Sequence, residues 1–280
     1  RKIVKEEICN YEPYAVGKAA LYCPDTGIID YSVVCNRLSN IISQKGEIIN
    51  GFEVGNIIHR HNQIVIISDK NEINAKFLIN CAGLFSDKIS SLAGLDPKCQ
   101  IIPFRGEYFM IKKQFRYLVN NLIYPVPDPR YPFLGVHFTR TINGEIEAGP
   151  NAVLAFSREG YEKTDVNIKE MWHYLSSPSF WKMTGRYWQT GLLEYYRSLF
   201  KSIFLKSLQT LIPDIKKTYI ENSPSGVRAQ ALDNNGRLID DFVINQKNNM
   251  IHVINAPSPA ATSSFSIAMR IREIYESMNY

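Results

Sequence analysis

The sequence is poor in the features that mark secreted, metal-bound or membrane-spanning proteins. Its 280 residues include five cysteines, at positions 9, 23, 35, 81 and 99, with no CxxC pair and no histidine at ligand spacing beside them. An odd count in that pattern argues against structural zinc and against a disulfide framework, so no metal site is expected and the thiols are expected to be reduced. No apolar stretch approaches the roughly 20 residues that a membrane span requires. The opening Arg1-Lys2-Ile3-Val4-Lys5-Glu6-Glu7 has no apolar signal core, and secretion is not expected. Internal repeats and low-complexity tracts are absent. No strong charge of one sign is present either: 32 Lys+Arg face 27 Asp+Glu, a net +5, and no nucleic-acid partner is expected. What remains is ordinary globular composition, 45% apolar, enough to bury one large core or two modest ones.

The small excess of positive charge is unevenly placed. Residues 158–217 hold ten Lys/Arg and six Asp/Glu, a local +4. With both signs interspersed this reads first as a solvated helical face, and second as a surface for an acidic partner such as anionic lipid.

Several elements are legible along the chain. Asp30 caps a helix carrying Val33, Val34, Leu38, Ile41 and Ile42 on one face, ended by Gly46. Short β-prone runs follow at 47–49, 52–54, 57–58 and 64–67. A strand at 77–80 enters Cys81-Ala82-Gly83 and a helix over 86–93, with Gly94 at the left-handed stop position. Residues 101–150 read as antiparallel strands. Asn143-Gly144 there predicts a two-residue hairpin that pairs 142 with 145 and 140 with 147, and so sets Arg140 opposite Glu147. Residues 160–212 turn helical, with a stripe from Leu192 to Ile212 that Pro213 stops. That stripe is expected to pack on its own sheet; the alternative is an amphipathic surface resting on a membrane. The chain closes on a buried-type strand at 250–254, a loop of small residues, and a helix face of Ile267, Ile271, Ile274 and Met278.

Two strand–loop–helix joints could carry chemistry, Asn80-Cys81-Ala82-Gly83 and Asn255-Ala256-Pro257-Ser258-Pro259-Ala260-Ala261-Thr262. Small side chains let a planar ring approach the backbone, and free N–H groups at a helix start favour negative charge. Together with Pro103-Phe104-Arg105-Gly106-Glu107-Tyr108, Leu122-Ile123-Tyr124-Pro125-Val126-Pro127-Asp128-Pro129, Gly135-Val136-His137-Phe138-Thr139-Arg140, Gly149-Pro150-Asn151-Ala152 and Gly226-Val227-Arg228-Ala229-Gln230-Ala231, these segments resemble the L-2-hydroxyglutarate oxidase/dehydrogenase family of the FAD-dependent, D-amino-acid-oxidase-like superfamily. They stand in the family's order and span nearly the whole chain.

The resemblance implies an α/β (α+β) fold in which a glutathione-reductase-like FAD-binding domain is interleaved with an antiparallel substrate domain that also carries helices. The expected division is 1–30 as a substrate-domain strand with its lead-in, 31–100 as part of the FAD domain, 101–222 as substrate domain and 223–280 as the FAD-domain return. No GxGxxG occurs in the 280 residues. The chain is therefore expected to be an N-terminally truncated form with an incomplete FAD-binding domain.

By the same resemblance Val54 meets adenine, Cys81, Ala82 and Gly83 lie near the ribose and pyrophosphate, and Asn255 through Ser263 underlie the flavin ring edge. The implied reaction is oxidation of a small dicarboxylate, L-2-hydroxyglutarate to 2-oxoglutarate, with hydride passing to the flavin. Arg105, Arg140 and Arg228 are candidate carboxylate clamps, Tyr124 a hydroxyl donor and His137 the candidate base, since its ordinary pKa suits proton abstraction near neutrality. Plainer roles stand against four of these, an ion pair for Arg105 and Arg140, core packing for Tyr124 and a structural place for His137; Asp128, between prolines, most simply shapes a turn. His59, His61 and His173 are expected in solvent, and His252 in a packed strand. The electron acceptor stays open among oxygen, a quinone and an electron-transfer protein. The expected location is cytoplasmic, or peripheral on the inner face of a bacterial or mitochondrial respiratory membrane. Two alternatives remain: an oxidase of another hydroxy or amino acid in the superfamily, and a non-catalytic remnant unable to hold FAD.

Overall fold

The computed structural model describes residues 1–61, 63–127, 135–257 and 260–278. Lys2–Val4 (β1) pairs antiparallel with Ala19–Leu21 (β2). Helix Tyr31–Ile42 (α1) follows; Asp30 caps it, its Oδ1 accepting from the N–H groups of Ser32 and Val33 at 2.8 and 3.3 Å. Next comes an antiparallel meander of Asn56–Arg60 (β3), Gln63–Ile67 (β4) and Glu72–Ala75 (β5). Leu78–Asn80 (β6) leads through a 3-10 turn into helix Ser86–Leu92 (α2), which stops at Gly94 with φ of 72°. Strands Cys99–Gly106 (β7), Phe109–Ile111 (β8), His137–Arg140 (β9), Ile146–Gly149 (β10) and Val153–Leu154 (β11) precede three helices, Ile168–Leu175 (α3), Pro178–Leu199 (α4) and Lys201–Gln209 (α5). The chain closes with Ile220–Asn222 (β12), Gly226–Asp233 (β13), Leu238–Ile239 (β14), Val243–Lys247 (β15), Met250–Asn255 (β16) and helix Ser264–Met278 (α6).

Two layered bodies result. In the first, β16 runs parallel to β6 and antiparallel to β15, and all six of its residues are buried. A strand covered on both faces reads as continuously apolar for that reason. On one face Met250 packs with Ile89, Leu92 and Ala93 around α2; on the other Ile251 and Val253 meet Ile271 and Ile274 of α6. In the second body two four-stranded antiparallel sheets form, in the orders β11-β7-β13-β14 and β12-β8-β10-β9. Phe180 and Met183 of α4 cover the first through Ile102 and Leu232. Phe204 and Leu208 of α5, with Ile212, cover the second through Phe138 and Ile146. β13 pairs along its length with β7, so sheet pairing runs across the expected boundary at 222/223.

Three expectations need correction. Residues 47–55 form no strand; Gly51 adopts a φ of 69° there, and the meander starts at Asn56. The β9–β10 hairpin is one residue out of the expected register. Thr141 N donates to Glu145 O at 2.8 Å and Gly144 N to Thr141 O at 3.0 Å, which closes a three-residue loop with Gly144 left-handed. Arg140 accordingly faces Ile146, and Glu147 faces Thr139. The predicted Arg140–Glu147 pair does not form; Glu145 pairs instead with Arg116 at 3.2 Å. Finally, the helical stripe is not continuous. It breaks at Phe200, where φ and ψ are −115° and 97°, and only its α5 half is buried.

Candidate active site

Where β16 ends, the two bodies meet around a cleft of about 350 Å3. One wall is the small-residue corner of Ala256, Ala260 and Ala261; the facing wall carries Tyr108, Asn151 and Arg228. Arg228 lies beside Phe104 in the β13–β7 register, two residues from the Gly226–Gly106 pair that leaves backbone at the cleft wall. The corner itself is held by buried Asn255, whose Nδ2 donates to the carbonyls of Ile239 and Asp241 at 3.1 and 2.8 Å. Pro257 is half-buried, and Thr262 and Ser263 are exposed. Ser258 and Pro259 lie outside the described residues, as does Asp128.

His137 and Tyr124 form a second group beside Arg228. Their rings stack at 4.4 Å, and the Tyr124 hydroxyl is 3.3 Å from Thr139 Oγ1. His137 Nδ1 lies 3.0 Å from the Gly135 carbonyl. A carbonyl only accepts, so Nδ1 carries the proton and the Nε2 lone pair is the acceptor in the neutral ring. Burial pulls the His137 pKa below its ordinary value; the Gly135 hydrogen bond opposes that, and the Arg228 charge adds to it. Burial, together with Glu147 and Tyr124, raises the Tyr108 pKa, while Arg228 pulls it down, so the phenol is protonated and can donate. Burial lowers the Arg228 pKa, countered by Tyr108.

The other predicted arginines are held elsewhere. Residues alternate across a strand, and β7 turns Arg105 away from the face of Phe104 and Gly106. Arg105 is buried; its Nε and Nη2 donate to Glu107 Oε1 at 3.2 and 3.1 Å, and its Nη1 to Glu162 O at 3.1 Å. Glu107 in turn accepts from Asn151 Nδ2 at 2.9 Å and Ser198 Oγ at 2.8 Å. Burial alone would raise the Glu107 pKa, but those bonds, with Lys163 and Arg105, hold it low. Arg105 thus braces Asn151 from behind the cleft. Arg140 shares a strand face with Phe138, opposite His137, and donates to Val119 O at 3.2 Å.

Val54 packs against the Ile57–Met250 cluster. Cys81, Ala82 and Gly83 form an exposed corner, and no heavy atom stands within 4 Å of where a Gly83 Cβ would be. Buried Asn80 pins that corner: its Oδ1 accepts from Ala82 N at 3.0 Å and its Nδ2 donates to Ser86 O at 2.8 Å. Sequence reasoning missed Tyr108 and Asn151 as site residues; Tyr108 stands two positions after Gly106, and that alternation is the signal that marks it.

The sequence profile of the FAD-dependent oxidoreductase family matches residues 1–274. The L-2-hydroxyglutarate dehydrogenase of Indibacter alkaliphilus is 49% identical, over 98% of this chain and 69% of that protein. The mitochondrial L-2-hydroxyglutarate dehydrogenase of Homo sapiens is 41% identical, over 98% of this chain and 63% of its own length. The chain therefore spans about two thirds of the curated relatives it matches. Among solved structures, FAD-bound L-alpha-glycerophosphate oxidase from Mycoplasma pneumoniae aligns with a TM-score of 0.70 at 19% identity, over all of this chain and 64% of that one. L-proline dehydrogenase from P. horikoshii follows at 0.59 and 14%, over 90% and 57%. Those two likenesses concern the fold alone. By profile and by identity, the chain belongs to the family of FAD-dependent oxidoreductases, on its L-2-hydroxyglutarate dehydrogenase branch.

Proposed function

We propose that this chain carries the substrate side and the flavin-ring side of an FAD-dependent L-2-hydroxyglutarate dehydrogenase that forms 2-oxoglutarate. The observation that carries the reading is the cleft, in which the Ala256, Ala260 and Ala261 corner faces Arg228 and Tyr108. The corner fits a flavin, because its side chains end at Cβ and leave room for a flat ring near the start of α6. The open Cys81–Gly83 turn suits the nucleotide end. When bound, FAD supplies the hydride acceptor.

The chain's own residues do the rest. Arg228 holds one carboxylate of the dianion, bidentate geometry being what a guanidinium offers. Tyr108 donates its phenolic O–H beside it, and Asn151, braced by Glu107 and Arg105, keeps that wall fixed. His137 Nε2 takes the hydroxyl proton, and its low pKa keeps it ready at neutral pH. Tyr124, stacked on the imidazole, sets the ring plane. The division into an FAD-side body and a substrate-side body around this cleft belongs to the same proposal. So does an acceptor drawn from oxygen, quinones and electron-transfer proteins. Among the described residues no helix is long and apolar enough to cross a membrane.

A titration with FAD followed by a substrate panel tests the reading. Flavin absorbance bleached anaerobically by L-2-hydroxyglutarate, and not by the monocarboxylate L-lactate or by amino acids, is the expected result. Bleaching by a monocarboxylate at equal rate would assign the cleft to another substrate, and no uptake of flavin would remove the catalytic reading.

A further inference from the structure

Of the five histidines only His252 is fully buried, and the chemistry proposed for the cleft makes no use of it. It lies on β16, the strand buried along its whole length, in parallel register with Asn80 of β6. Its neighbours at 251, 253 and 254 are Ile, Val and Ile. An imidazole in that run gives up the hydration of two ring nitrogens, a cost that another aliphatic side chain would avoid. A buried polar ring of this kind needs a partner that accounts for it.

One nitrogen has such a partner. The Asn80 amide is oriented by two backbone groups of opposite kind: its Oδ1 accepts from Ala82 N at 3.0 Å, and its Nδ2 donates to Ser86 O at 2.8 Å. The second Nδ2 hydrogen is left for His252 Nδ1, 3.2 Å away. An amide N–H only donates, so Nδ1 accepts and the neutral ring carries its proton on Nε2. Nε2 is buried and has no hydrogen-bond partner among the described residues. The ring's polar contact is spent on Asn80 alone. Burial holds its pKa below the ordinary value, which keeps the acceptor in place at neutral pH.

Both N–H bonds and the carbonyl of Asn80 are thereby engaged, and the amide has one orientation. Its bond to Ala82 N closes a turn, from which the chain leaves at Gly83 with φ of 54° and open space around an added Cβ. Without the Nδ1 acceptor a buried N–H would stand unsatisfied, and the amide would recover a partner by turning, which releases Ala82. We propose that His252 is a positioning residue: through Asn80 it holds the Cys81–Gly83 turn in the open shape that receives the nucleotide end of FAD. The inference rests on the role given to that turn in the proposed function. Ser86 Oγ, which donates to Ile254 O at 2.7 Å, and Asn255, which pins the ring-side corner, continue the arrangement along β16. His252 and Asn255 are three residues apart, about 10 Å of strand, so one buried strand spaces the turn from that corner.

Two substitutions test it. His252→Asn puts an amide oxygen where Nδ1 stood and keeps the acceptor; His252→Leu fills the space without one. Amide hydrogen exchange is read at Ala82, with the amides of β16 as the internal reference, and FAD affinity by quenching of flavin fluorescence. In His252→Leu, exchange at Ala82 should quicken about fivefold relative to β16 and the Kd for FAD should rise by about the same factor, while His252→Asn should restore both. His252→Gln, whose amide reaches to the Nε2 end instead, reads the same loss should the leucine variant not fold. Unaltered exchange at Ala82, or an equal quickening along β16, overturns the proposal, and so does failure of His252→Asn to restore the turn. A loosened turn with unchanged FAD affinity overturns its assignment to the nucleotide. A parent chain that takes up no flavin removes the catalytic reading and the cofactor half of this inference, while exchange at Ala82 still decides whether His252 holds the turn.

Discussion

Arg158 and Asp87, seventy-one residues apart, form a buried bidentate pair at 2.6 and 3.0 Å that ties the loop after β11 to helix α2. Asp87 Oδ2 also accepts from Ile101 N at 2.9 Å, and the Arg158 guanidinium sits 5.7 Å from the Phe85 ring centroid while donating to the Leu84 carbonyl. One carboxylate thereby joins α2, β7 and the loop after β11.

Removing one partner strands the other charge in the interior. Asp87→Asn is expected to destabilise the chain by about 3–5 kcal/mol. Asp87→Leu combined with Arg158→Met should cost clearly less than the two single changes summed, because neither charge is left unpaired. Urea denaturation of the four proteins measures this, and an additive result would deny the coupling.

The acid–base reading makes a directional claim about pH. Because burial and then the Arg228 charge act on His137, the acid limb of kcat/KM should have its midpoint below the ordinary histidine value of about 6.5. His137→Ala should lower kcat by roughly 10² or more and remove that limb. Flavin reduction by L-2-hydroxyglutarate across pH reads both effects; a limb that survives in the variant would assign the proton to another group.

Arg228 should act on substrate affinity rather than on the proton. Arg228→Lys keeps the charge but loses the planar fork, so KM for the dicarboxylate should rise by about tenfold, and more in Arg228→Ala. Arg105→Lys should instead act through Glu107 and Asn151, and show first as a lower unfolding midpoint. Steady-state kinetics beside thermal melts separates the two arginines.

Features closed within a few residues were legible in the sequence. The Asp30 cap, the Gly94 stop and the Ile271/Ile274 face of α6 depend on neighbours one to four positions away. Strand faces were harder, because they are set by partners far along the chain. Arg105 and Arg228 were both expected as carboxylate clamps, yet pairing of β7 with β13 turns one to Glu107 and the other to the cleft. The Asn143-Gly144 signal located a hairpin correctly but missed its register, since Gly144 alone takes the left-handed conformation. Of the candidate site, the small-residue joint after β16 was legible from its own residues, while its flavin role, Arg228 and His137 came through resemblance. Tyr108 and Asn151 emerged only once the cleft had walls.

Two histidines also couple folding to pH. Burial lowers the pKa of His137 and of His252, whose Nδ1 accepts from Asn80 Nδ2 at 3.2 Å. The unfolded chain therefore binds protons first as pH falls, and their contribution is whole above the unfolded value of about 6.5 and lost as pH drops through the lower folded values. Urea midpoints should fall between pH 7.5 and pH 5.5 by an amount that His252→Asn reduces; a flat profile in the parent would contradict both shifts.

A pair of glycines offers the sharpest comparison, since both have a φ of 74° but different surroundings. Around Gly144, at the tip of the β9–β10 hairpin, nothing lies within 4 Å of an added Cβ. At Gly236, in the β13–β14 turn, that Cβ would come within 2.5 Å of Lys182 Cβ and 2.7 Å of Met183 N. Backbone strain alone should make Gly144→Ala cost about 1 kcal/mol. Gly236→Ala adds a clash with α4 backbone that cannot swing aside, so it should cost several kcal/mol and pull α4 from the sheet that Phe180 and Met183 cover. Equal losses in a denaturation series would mean that the turn and the helix move apart freely. A larger loss at Gly236 would show that the β13–β14 turn seats α4 on that sheet.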